Sequence, residues 1–175
     1  NALIGKEPQN ARIMLQQLSE YLRNTLKKED KDLIFFQEEL EDLRLYLSIE
    51  KVRFGHRLTI EEHIQENCGA MKIPPFLLQP LVENAVKYGL YGTIGAVEIH
   101  IKAFLEADFL SFIITNPYDP EAVTPKGTGF GLESIKRRLY LLFARNDLLT
   151  IKPNWEVRKD NPYFLAQIKI PVNPA

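Results

Sequence analysis

An α+β fold, a two-layer α/β sandwich preceded by an antiparallel helical hairpin, is predicted by three features of this 175-residue chain. The first third carries apolar residues at helical spacing. The rest contains short runs in which apolar and polar residues alternate, and two further helical patterns are set between those runs.

From Ala11 to Leu26 the apolar residues Ala11, Met14, Leu15, Leu18, Tyr21, Leu22 and Leu26 follow the three-and-four spacing of a helix with one apolar face. The polar run KKEDKD, Lys27 to Asp32, breaks that pattern. A second helix follows, with Phe36, Leu40, Leu43, Leu47 and Phe54 on a nearly heptad stripe and Glu38, Glu39, Glu41 and Asp42 on the other side. Two such helices joined by a short polar link make a hairpin. A hairpin alone rarely buries both stripes, so the expectation is a four-helix dimer with a second copy; the alternative is a hairpin lying on its own domain.

Beyond Gly55 the period changes. Leu58, Ile60, Glu62 and Ile64 alternate with Thr59, Glu61, His63 and Gln65, a strand pattern. In PPFLLQPLVENAVKYG, Pro74 and Pro75 predict a helix start and Gly89 a left-handed cap at its end. Strand patterns recur over 97–104, 109–115 and 164–171, with a helix over 132–143 and a short strand over 148–152. The division expected is a hairpin over 1–55 and a sandwich domain over 56–175.

Composition excludes several classes of function. Lys+Arg at 22 against Asp+Glu at 23 gives a formal charge of -1, which removes the electrostatic basis for a nucleic-acid partner. Cys68 is the single cysteine, so neither an intramolecular disulfide nor a cysteine metal cluster can form; the expectation is a reducing compartment. No apolar run approaches the roughly 20 residues of a membrane span and no charged-then-apolar leader opens the chain, so these residues are expected neither to cross a membrane nor to direct export.

The chemistry concentrates in two motifs. GTGFGLESIKRRL places Gly127, Gly129 and Gly131 at alternate positions ahead of an amphipathic helix. A loop that lays its amides against phosphate cannot carry a Cβ everywhere, and the helix start adds unpaired N–H groups and a positive dipole end. Neither the dinucleotide fingerprint, which would need glycine at Leu132, nor the P-loop fits. On LVENAVKYG, Glu83 and Lys87 share one helix face, Asn84 and Tyr88 the next, while Leu81, Val82, Ala85 and Val86 face the sheet. A lone Glu–Lys pair at this spacing is usually a solvated stabiliser. A carboxylate, a carboxamide and an amine beside a glycine phosphate loop are instead the groups that magnesium-nucleotide chemistry requires.

LLQPLVENAVKYG resembles the N box, and GTGFGLESIKRRL the second glycine box, of the Bergerat-type (GHKL) ATP-binding domain of histidine kinases, gyrase, mismatch-repair ATPases and the heat-shock 90 chaperones. YLSIEKVRFGHRLTI, Tyr46 to Ile60, with IPPFLLQPLVENA, resembles the LytS-type sensor histidine kinases in particular. The resemblance covers essentially the whole chain. It implies ATP and Mg²⁺ as cofactors, Asn84 as the Mg²⁺ ligand and Glu83 as the catalytic base. It also implies that Lys87, Tyr88, Asn116, Gly127, Gly129, Gly131 and Leu132 lie around the nucleotide, and that 118–126 forms a lid. The partners implied are a response regulator and a second copy joined through the N-terminal helices, on the cytoplasmic side of a sensor anchored upstream in the inner membrane.

Two departures from the family pattern stand out. The first glycine box normally reads D-x-G-x-G, its aspartate accepting from the adenine amine; IITNPYDP sets Thr115 and Pro117 where the aspartate and first glycine belong, with Asn116 as a neutral acceptor. Weakened nucleotide affinity is therefore expected. The family's phosphoacceptor histidine stands four residues before an NAL or NSL segment, and this chain opens at Asn1-Ala2-Leu3, so the acceptor is expected to lie ahead of it. His56, His63 and His100 read as structural or surface residues, and these 175 residues are not expected to phosphorylate themselves. The competing reading is a degenerate signalling scaffold that binds nucleotide feebly.

Overall fold

The computed structural model describes residues 8–91, 95–117, 130–153 and 162–172. The hairpin is α1 (Pro8–Lys28) and α2 (Phe36–Phe54), with the short strand β1 (Ile34–Phe35) between them. Then come β2 (Leu58–Ile64), β3 (Lys72–Ile73), α3 (Gln79–Tyr91), β4 (Val97–Glu106), β5 (Phe109–Pro117), α4 (Phe130–Phe143), β6 (Leu149–Pro153) and β7 (Tyr163–Pro171). The main sheet has five strands in the order β2-β4-β5-β7-β6. Its β2–β4 pair is parallel, which requires a crossover, and α3 supplies it; the other pairs are antiparallel. All five strands expected from the sequence are present, within a residue or two of the expected ends.

One face of the sheet is covered by helices. Val97, Ile99, Ile101 and Ala103 of β4, with Leu110, Phe112 and Ile114 of β5, are buried against Leu81, Val82, Ala85 and Val86 of α3 and Ile135 and Leu139 of α4. Each large side chain so buried contributes roughly 1.5–3 kcal/mol before entropy is counted. The heptad stripe of α2 belongs to the same core: Phe36, Leu40, Leu43 and Leu47 are all buried, and Phe36 meets Phe112 edge-on with ring centroids 6.4 Å apart. This stripe is thus satisfied within the chain. The face of α1 is not, since Leu15, Leu22 and Leu26 stand 62%, 54% and 69% exposed, with Ile13 and Leu18 beside them.

Polar groups fix the hairpin. Lys28, at the end of α1, is buried and pairs with Asp42 of α2, which also accepts from Asn24 Nδ2 at 3.0 Å. Lys28 Nζ donates in addition to the Glu38 carbonyl at 2.6 Å. Gly55 ends α2 at φ 59° and ψ -133°, a conformation closed to a residue with a Cβ.

The expected start and end of α3 need correction. Pro74 and Pro75 do not open the helix, which begins at Gln79, because Phe76 has φ 56°. That turn is held by the buried Glu39 carboxylate, which accepts from the Phe76 and Leu78 N–H groups at 3.1 and 3.3 Å, and by Arg138, which donates to the Phe76 carbonyl at 3.2 Å. Burial pushes the Glu39 carboxyl up, against the pull of those two N–H groups. Nor is Gly89 a cap, for α3 runs through it to Tyr91. A Cβ there would lie 3.0 Å from Val97 Cγ1 and 3.6 Å from Asn116 Cβ, so its glycine lets the helix approach β4 and β5.

Candidate functional site

The packing face of α3 fixes which residues remain on the other side. With Leu81, Val82, Ala85, Val86 and Leu90 buried, Glu83 is exposed and Asn84, Lys87 and Tyr88 are half-buried at the margin of the core. The α4 helix begins beside them. A Cβ added to Gly131, in its first turn, would lie 3.3 Å from Asn84 Nδ2 and 3.7 Å from Oδ1. The N-box carboxamide and the third glycine of the second box, 47 positions apart by number (131 − 84), are therefore neighbours. Leu132 packs at the edge of the core in the same turn. Gly127, Gly129 and the expected lid over 118–126 lie outside the described residues.

The Glu83–Lys87 ion pair that the spacing allows does not form. Glu83 Oε1 instead accepts from Gln79 Nε2 at 2.6 Å, one turn earlier, and the Lys87 ammonium lies 5.3 Å from the Tyr88 ring centroid. Gln79 Nε2 is also hydrogen-bonded to the Tyr21 hydroxyl of α1. Tyr21 is stacked obliquely on Tyr46, 6.3 Å between centroids. Its hydroxyl is pushed up to about 12, first by burial and then by the negative charges of Glu83, Asp42 and Glu39. The sequence places Tyr21 only on the apolar stripe of α1 and gives Gln79 no role. The i,i+4 spacing of Gln79 to Glu83 was available as a signal, but the approach of Tyr21 depends on how the hairpin docks.

At the end of β5 the pleat separates Thr115 from Asn116. Leu110, Phe112, Ile114 and Asn116 alternate toward the helices, so Thr115 projects from the opposite face, level with His100 of β4. Asn116 is 2% exposed and lies against Gly89 of α3. Asn116, the neutral acceptor that the sequence offers, faces the helices, and Thr115 does not. Its Nδ2 donates to the Pro117 carbonyl at 2.8 Å, and its Oδ1 accepts no hydrogen bond among the described residues. A buried carboxamide with its nitrogen engaged presents its oxygen.

These groups fit a magnesium nucleotide. An uncharged oxygen donor, Asn84, and a carboxylate, Glu83, suit a hard cation, and the missing Cβ of Gly131 leaves space beside the Asn84 carboxamide. The start of α4, a helix of 14 residues, lies beside Asn84, and the first turn of any helix has N–H groups without partners inside the helix. His56, His63 and His100 lie elsewhere, in the 3-10 turn after α2 and on β2 and β4.

Comparison with known proteins gives the family and the fold. Residues 1–58 match the family model described as Histidine kinase. The chain is similar to the Sensor protein LytS of Staphylococcus haemolyticus, 33% identical over 160 residues that make up 82% of this chain and 27% of that protein. LytS of Staphylococcus epidermidis is 30% identical over 164 residues, 87% of this chain and 28% of that protein. The chain thus spans little more than a quarter of the length of these relatives. In fold it is similar to the catalytic domain of histidine kinase ThkA, with a TM-score of 0.54 at 16% identity, covering 82% of this chain and 97% of that one. The histidine kinase AdeS of Acinetobacter baumannii covers 99% of this chain and 86% of its own at a TM-score of 0.53 and 17% identity. With sequence likeness along most of its length, a matching family model and the catalytic-domain architecture, the chain belongs to the histidine kinases, on their LytS-type branch.

Proposed function

We propose that this chain is the ATP-binding kinase region of a two-component sensor histidine kinase. The observation that carries the reading is the nearness of Gly131 to Asn84, which brings a phosphate-type helix start beside a magnesium-type carboxamide. In this reading the start of α4 and the glycines before it take the triphosphate, and Asn84 holds Mg²⁺. The metal, when bound, offsets charge on the phosphate oxygens. Asn116 Oδ1 accepts from the exocyclic amine of adenine, while Tyr88 and Lys87 line the same margin. Glu83, kept in place by Gln79, orients the attacking imidazole or takes its proton. Positioning and charge neutralisation supply most of the rate.

The phosphoryl acceptor in this proposal is a histidine outside these 175 residues, and the phosphoryl group passes from it to a response regulator. ThkA, one of the similar structures at a TM-score of 0.51, is described in complex with a response regulator protein. Two copies pair through the exposed stripe of α1, in a protein whose sensing part is held at the inner membrane with this region on the cytoplasmic side. Asn116 weakens the case for a nucleotide-blind scaffold, whose best argument was the missing aspartate. Incubation with γ-labelled ATP tests the division of labour. A chain extended to carry the upstream histidine takes up acid-labile label, and residues 1–175 alone take up none. Stable label on the short chain would contradict it.

A further inference from the structure

The outer face of the sheet, away from the helices and the nucleotide site, gathers four metal-type side chains on one parallel strand pair. Residues two apart on a strand share a face, so Glu61 and His63 of β2 project together, as do Glu98 and His100 of β4. The register sets Glu61 directly opposite His100 and Thr59 opposite Glu98. His100 Nδ1 lies 2.8 Å from Glu61 Oε2, His63 Nε2 lies 3.0 Å from Glu61 Oε1, and His100 Nε2 lies 3.7 Å from Glu98 Oε2. One ligand atom each from Glu61, Glu98 and His100 falls within 4.8 Å of the others.

We propose that Glu61, Glu98 and His100, with His63 as a fourth ligand, form a binding site for a first-row divalent cation of the zinc type on the outer face of β2 and β4. Two imidazoles and two carboxylates make a borderline donor set that favours zinc over magnesium, unlike the all-oxygen chemistry at Asn84. Both histidines are exposed enough to turn a ring nitrogen inward, at 58% and 37% for the side chains of His63 and His100. Lys102, the register partner of His63, opposes a cation there, which makes His63 the weakest of the four. Because β2 is an edge strand and follows the hairpin directly, a bound ion would tie that edge to the interior of the sheet.

Calorimetric titration of zinc chloride into the whole chain, near neutral pH and without nucleotide or magnesium, tests the site. The expected result is one zinc ion per chain, with His100→Ala and Glu61→Gln each weakening the affinity at least about 10-fold and Asn84→Ala leaving it unchanged. Absence of zinc binding, or undiminished binding in a chain carrying both His100→Ala and Glu61→Gln, would overturn it. Should either variant lose its circular dichroism spectrum, the imidazole resonances of His63 and His100 in the unaltered chain decide. They shift on zinc addition if the site is real, and unmoved resonances overturn it.

Discussion

Gly131 at the head of α4 stands where a single methyl group would press on Asn84 of α3, 3.3 Å from its Nδ2. That closeness separates two quantities that usually fall together. Alanine at an exposed helical position is worth about 0.5–1 kcal/mol more than glycine, so Gly131→Ala raises the melting temperature. The same methyl displaces the Asn84 carboxamide and lowers Mg-ATP affinity about 10-fold, roughly 1.4 kcal/mol. Thermal melts and titrations on one preparation check both signs.

Asn116 and Thr115 are adjacent in sequence but lie on opposite faces of β5. Asn116→Ala removes the acceptor beside Gly89 and weakens ATP binding by about 1 kcal/mol. It also narrows the preference for ATP over GTP, whose base presents a keto oxygen where adenine presents an amine. Thr115→Ala changes nucleotide affinity by less than about 0.5 kcal/mol. Competition of the two nucleotides for each variant gives the answer, and an equal loss in both would undo the register assigned to β5.

Tyr21 links α1 to the catalytic face through Gln79, and its environment is legible in its titration. Burial first, then the charges of Glu83, Asp42 and Glu39, raise its hydroxyl to about 12 from an ordinary value of 10.0. A group whose folded value is raised contributes stability below its unfolded value and loses it as the pH climbs through the folded one. Stability therefore declines between pH 10.0 and about 12 by this route. Ultraviolet titration of the phenolate band should show a component near the top of that range, absent from Tyr21→Phe.

The Lys28–Asp42 pair tests how firmly the hairpin is held. Both side chains are nearly buried, at 7% and 12% exposure. Asp42→Ala leaves an ammonium without its carboxylate and should cost about 3–5 kcal/mol in denaturant unfolding. Replacing both residues by apolar ones of similar size should recover most of that loss.

Much of this was written in local pattern. Strand patterns marked β2, β4, β5 and β7, whose alternate residues are buried or half-buried, and the spacing of Leu81, Val82, Ala85 and Val86 marked the packing side of α3. Asn84 and Gly131 stand out in the sequence because a carboxamide on a helix face and a glycine at a helix start are unusual there, and the fold sets those two side by side. The start of α3 was not, since Glu39, 37 positions before Phe76, supplies the carboxylate that holds the preceding turn. Gly89 looked like a cap because its true reason, the nearness of Val97 and Asn116, exists only in the folded chain. The stripe of α2 gave its helix correctly but could not say which surface would cover it, and the sequence set Thr115 and Asn116 side by side without showing that the pleat of β5 turns only Asn116 toward the helices.

The most direct test of the nucleotide site is calorimetric titration of ATP into the chain with and without Mg²⁺, repeated on Asn84→Ala. The account predicts a magnesium-dependent heat in the native chain that disappears in the variant while its fold, followed by circular dichroism, is unchanged. Magnesium-dependent binding that survives intact in Asn84→Ala, or no binding by the native chain at any attainable ATP concentration, would contradict it.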